Sequence, residues 1–89
     1  MSFIFSENMV KKVERKGFSV KALDWLLMAT NEKGKLYFEK YYKGGWRCLV
    51  TSHEHPAPYF NFIISEYTRF DDALKYGILS LNAGKVINP

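Results

Sequence analysis

The sequence predicts an α+β domain of two layers: an antiparallel four-stranded meander with an N-terminal and a C-terminal helix on one face, in the order α-β-β-β-β-α. Three observations carry that expectation. The chain opens on a capped, amphipathic stretch, and its middle alternates aromatic and polar residues between turn signals. It closes on apolar residues recurring every 3.6 positions.

The first element is a helix from about residue 7 to 16. Ser6 is a candidate N-cap, whose hydroxyl accepts an orphan backbone N–H two or three residues on. Phe5 and Val10 occupy the staple positions around it. Met9, Val10 and Val13 form the apolar stripe, and Lys11, Lys12, Arg15 and Lys16 crowd the last turns, where cations suit the negative end of the dipole. Gly17 follows as a stop.

Residues 18–30 read two ways. Ser19, Ala22, Leu23, Leu26 and Leu27 allow a second helix. Asn31-Glu32-Lys33-Gly34 decides against it, since it reads as a type I turn closed by a glycine at positive φ, a common hairpin connection. A hairpin needs a strand before its turn, so Leu23–Thr30 is expected as the first strand, with the residues before it also open to extended geometry. Leu36–Tyr42 is the second strand. After the break at Gly44-Gly45, Trp46–Ser52 is the third.

His53-Glu54-His55-Pro56-Ala57-Pro58 is a proline-biased loop. Tyr59–Ser65 is the fourth strand, with Phe60, Phe62 and Ile64 on one face. Thr68 with Asp71 approximates a capping box. Phe70, Ala73, Leu74, Gly77, Ile78 and Leu81 then mark the second helix, ending near residues 82–84. Residues 1–84 are expected as one domain and 85–89 as a loose C-terminal tail.

The order resembles that of the double-stranded-RNA-binding domain, which carries a lysine-rich signature at the start of its last helix. Here the corresponding stretch, Arg69-Phe70-Asp71-Asp72-Ala73-Leu74-Lys75, is acidic and would repel phosphates. No family assignment follows.

Composition narrows the function classes. An 89-residue chain supports one thin core, and such domains often complete their burial against a partner or a second copy. The longest apolar run, Trp25–Ala29, is far short of a membrane span. Met1-Ser2-Phe3-Ile4-Phe5 lacks the basic and apolar regions of a secretory signal. One cysteine, Cys48, offers no internal disulfide. The expectation is a cytoplasmic protein with no membrane contact. Residues 1–47 carry ten Lys/Arg against five Asp/Glu, so an acidic partner or a nucleic acid would feel that half most strongly.

Strand alternation puts Tyr37, Glu39, Tyr41 and Lys43 on one face, and Leu36, Phe38, Lys40 and Tyr42 on the more core-like other. The expected partner-binding surface is Tyr37, Tyr41, Lys43, Trp46 and Arg47. Tyrosines covering a sheet for stability alone would give the same pattern. Lys11, Lys12, Arg15 and Lys16 are candidate nucleic-acid contacts, though dipole complementation on an exposed helix face explains them as well.

Cys48, His53 and His55 are metal-ligand types, but three ligands at this spacing match no common zinc motif. Cys48 with His53 would be a conceivable nucleophile and base. Asp71-Asp72 sits in a helical first turn, where acids belong anyway. No phosphate loop or nucleophile elbow is present. No catalytic residue, metal or cofactor is therefore expected.

The leading expectation is a small non-enzymatic protein-binding module that regulates or inhibits a larger macromolecule, of the kind phages and mobile elements encode. It would use an aromatic and basic sheet face to bind another protein or its own copy, as a hetero-complex or homo-oligomer. The alternative is a nucleic-acid-binding domain using the same face plus the basic N-terminal helix.

Overall fold

The computed structural model describes residues 4–40, 44–53, 61–67 and 69–87. The elements are α1 (Glu7–Glu14), β1 (Ser19–Ala22), β2 (Leu26–Thr30), β3 (Gly34–Lys40), β4 (Trp46–Ser52), β5 (Asn61–Tyr67) and α2 (Phe70–Ala83). Every strand pairs antiparallel with its sequence neighbour, so the sheet is an open meander in the order β1-β2-β3-β4-β5.

The expected α+β architecture is present, with its four strands in order between the two helices. A fifth, short strand extends the sheet at one edge. Residues before Leu26 do not continue β2 as expected. Leu23 N–H instead donates to the Leu26 carbonyl at 2.7 Å, closing a tight turn that folds Ser19–Ala22 back as β1. Asp24 is the one turn-favouring residue in Leu23-Asp24-Trp25, and with no Gly, Pro or Asn beside it the signal is weak.

Ser6 caps α1 as expected: its backbone is extended (φ −74°, ψ 162°) and its Oγ accepts the Met9 N–H at 3.3 Å. Phe5 packs on Trp46, ring centroids 5.5 Å apart. Phe70 at the start of α2 lies 5.3 Å from Trp46 and 5.1 Å from Phe38. These four rings join the lead-in of α1, two central strands and α2 into one aromatic cluster. Around it, Val13, Leu27, Ala29, Leu36, Val50, Ala73 and Leu74 complete the core, all buried. Strand alternation therefore directs Leu27, Ala29, Leu36, Phe38, Trp46, Cys48 and Val50 toward the helices.

Three local expectations are corrected. The cap of α2 is Arg69, which makes no side-chain capping bond; Thr68 lies outside the described residues. The glycine ending the β2–β3 turn is not at positive φ. Asn31 builds the turn instead, its Oδ1 accepting from the N–H groups of Lys33 (2.9 Å) and Gly34 (3.2 Å). The tail expected to be loose from residue 85 is held as far as Ile87. The Ile87 N–H donates to Ser80 Oγ at 2.8 Å, and the Ser80 hydroxyl donates to the Ile87 carbonyl at 3.3 Å. That pair satisfies a fully buried serine hydroxyl, which would otherwise cost stability.

α2 lies close on the sheet because Gly77 faces it without a side chain. A Cβ at Gly77 would stand 2.9 Å from Cys48 Sγ and 3.5 Å from a Leu36 methyl. Gly77→Ala improves helix propensity by about 1 kcal/mol but overpacks the interface by about 1–3 kcal/mol. A net loss of about 1 kcal/mol is expected in urea unfolding. Cys48→Ala opens the space that the new methyl needs. The double variant should therefore be more stable than the sum of the singles by roughly 1 kcal/mol. Additive losses would show that Gly77 and Cys48 do not set the helix–sheet distance.

Candidate functional site

The layered fold leaves two candidate surfaces, one on each side. On the outer face of the sheet, opposite the helices, alternation places Leu26, Met28, Tyr37, Glu39, Arg47 and Leu49, all half-buried. Register brings them side by side: Leu26 opposes Glu39, Met28 opposes Tyr37, Tyr37 opposes Leu49, and Glu39 opposes Arg47. On this face Leu26, Tyr37, Glu39, Arg47 and Leu49 line a shallow depression of about 270 Å³. Glu39 Oε1 and Arg47 Nη1 form an ion pair across the strands at 3.4 Å. Both side chains are about two-fifths exposed, so the pair adds little stability and leaves charge at the rim of an apolar centre.

Of the expected partner-binding residues, Tyr37 and Arg47 lie on this face. Tyr41 and Lys43 fall outside the described residues. Trp46 is a correction: it is only 8% exposed and points into the core between Phe5 and Phe70. The cause is parity. Trp46 and Arg47 are adjacent in one strand, so they must face opposite sides. Lys40, paired with Trp46, holds its ammonium 4.7 Å from the indole. Leu26, Met28 and Leu49 were not expected at this surface. Alternation around the buried Leu27, Ala29, Cys48 and Val50 carries the signal that finds them.

On the helical layer, α1 and α2 flank a groove of about 630 Å³. Lys12, Arg15 and Lys16 line it from the α1 side, and Asp71, Leu74, Lys75, Ile78 and Leu79 from α2. Lys12 Nζ donates to Asp71 Oδ1 at 2.9 Å, and Arg69 approaches the other carboxylate oxygen at 3.9 Å. Of the expected nucleic-acid contacts, Lys12, Arg15 and Lys16 thus border the groove rather than the outer sheet face, while Lys11 is exposed and does not line it. The sheet face and the basic helix end of the alternative reading therefore lie on opposite layers.

Cys48 and His53 are not brought together for chemistry. The thiol is buried beneath α2, and burial pushes its pKa well up, away from the thiolate. His53 is exposed past the end of β4, where its backbone N–H donates to the Lys33 carbonyl at 2.8 Å. His55 lies outside the described residues. Among the described residues no three His, Cys, Asp or Glu side chains gather as metal ligands. Burial also raises the Tyr67 hydroxyl, to about 12. That ring stacks on Tyr76 at 5.6 Å and 2°, so it is a neutral packing group at physiological pH. Asp71 and Asp72 occupy the first turn of α2, as dipole complementation expects.

The chain is therefore a small two-layer α+β protein with a half-covered sheet face and a basic groove between its helices. No described helix is long and apolar enough to cross a membrane. No protein-family model matches it, and comparison with curated proteins and with solved structures finds no significant match.

Proposed function

We propose that this chain is a small non-enzymatic protein-binding module that regulates or inhibits a larger macromolecule, and that it docks through the outer face of its sheet. The supporting observation is the apolar centre formed by Leu26, Met28, Tyr37 and Leu49, over which neither helix lies, with the Glu39–Arg47 pair beside it. An aromatic and aliphatic centre bordered by charge is the anatomy of a protein interface, and Tyr and Arg are the residue types enriched there. A second copy of the chain is one partner that such a face accepts. The single, buried cysteine suits a reducing compartment such as the cytoplasm.

Tyr37→Ser combined with Leu49→Ser removes the centre without touching the core. Both side chains are half-buried and oppose each other across β3 and β4, so stability should fall by roughly 1–3 kcal/mol, a loss that leaves the chain folded. Affinity capture from the native host, with sedimentation to read self-association, should lose its specific partner or its dimer. Unchanged partners and an unchanged oligomeric state would refute the reading.

A further inference from the structure

The groove between the helices is chemically unlike the sheet face and lies on the opposite layer. Its lining holds four cations, Lys12, Arg15, Lys16 and Lys75, against one carboxylate, Asp71. Asp71 is neutralised by Lys12 at 2.9 Å, which leaves Arg15, Lys16 and Lys75 as the excess charge. Its floor is apolar: Leu74 is buried, Ile78 half-buried, and Leu79 is 41% exposed, one of the few large apolar side chains open to solvent among the described residues.

We propose that this groove docks an acidic amphipathic segment of another protein. Its apolar stripe lies on Ile78 and Leu79, over the buried Leu74, and its carboxylates face Arg15, Lys16 and Lys75. Charge complementarity selects an anionic occupant. The floor selects one with apolar anchors, because burying Leu79 and Ile78 stabilises only a ligand that brings apolar surface to them. The same floor argues against a nucleic acid, whose continuous phosphate chain brings charge but no apolar anchor to Ile78 and Leu79. Helix-in-groove recognition has these parts. The proposal does not depend on the sheet-face reading.

The probe is a fluorescein-labelled synthetic peptide of about 14 residues, roughly four helical turns, with Leu at i, i+3, i+4 and i+7 and Glu elsewhere on the helix. Two controls accompany it: a scrambled peptide of the same composition and a single-stranded oligodeoxynucleotide. Anisotropy at about 50 mM salt should show the amphipathic peptide binding at least roughly fivefold more tightly than the scramble. Binding should weaken on raising salt to about 200 mM. The triple variant Arg15→Gln/Lys16→Gln/Lys75→Gln should lose about tenfold, near 1.4 kcal/mol, and Leu79→Ala several-fold. Tyr37→Ser/Leu49→Ser should bind as the native chain does, and amide shifts should map to α1 and α2. These surface variants keep the core, and circular dichroism checks that they fold. Failure of the peptide to bind at low salt, equal binding of the scramble, or shifts confined to the sheet would overturn the proposal. So would tighter binding of the oligonucleotide with no effect of Leu79→Ala, which would make the groove a phosphate site.

Discussion

Gly34→Ala should be among the most damaging single-methyl substitutions in this protein. A Cβ at Gly34 would overlap the backbone carbonyl oxygen of Thr51, and would meet Leu81 Cδ1 at 2.9 Å and Ser52 Cα at 3.0 Å. Gly34 pairs with Ser52 at the end of the β3–β4 ladder, and the next backbone link, His53 N–H to the Lys33 carbonyl at 2.8 Å, ties the same two segments. Backbone cannot yield there without opening the ladder. A cost of about 3 kcal/mol or more is expected. By the usual per-residue range, a chain of this length has a total stability of roughly 5–13 kcal/mol. The melting temperature should therefore fall by roughly 10–20 °C. A loss below about 1 kcal/mol would mean that β3 and β4 leave room for a Cβ at this position. A positive-φ strain argument would predict damage at this position for the wrong reason. Gly34→Asn separates the two, since asparagine tolerates positive φ but brings the same Cβ, and it should be no better than alanine.

Trp46→Ala should cost about 3–5 kcal/mol, as expected for truncating a buried aromatic residue. Its indole is the centre of the ring cluster, in contact with Phe5 on one side and Phe70 on the other. Trp25 is the internal control. It is 59% exposed beside the β1–β2 turn, and its replacement by alanine should move stability by no more than about 0.5 kcal/mol. Urea midpoints for the two variants decide the matter. If Trp46→Ala unfolds no more easily than Trp25→Ala but loses a binding partner, the indole is a contact residue and the aromatic core is misassigned. Because Trp46 belongs to the core, substituting it cannot test the sheet face; Tyr37 and Leu49 can.

Much of the architecture was legible from residue pattern. Ser6 as a cap, the aromatic alternation of Leu36 to Lys40, the strand Trp46–Ser52 and the apolar recurrence from Phe70 to Leu81 all reappear as local structure. Each rests on interactions within a few residues or on a burial period that a single segment displays. The site was less legible. Tyr37 and Arg47 of the expected surface lie together on the outer face, whereas strand parity turns Trp46, expected beside them, into the core. The basic cluster of α1 was visible as composition. Its apolar counterpart, Leu74, Ile78 and Leu79, belongs to a helix about sixty positions away, and no local pattern joins the two.

What the sequence determined by itself was therefore the identity and order of the two helices and four of the five strands, because caps, turn residues and side-chain periodicity act over short distances. Tertiary structure alone decided the fifth strand, the return of Ile87 onto Ser80, the need for glycine at positions 34 and 77, and the pairing of α1 with α2 around a groove. Those features depend on how closely one backbone approaches another. That distance follows from the packing of side chains distant in sequence, and no single segment carries it.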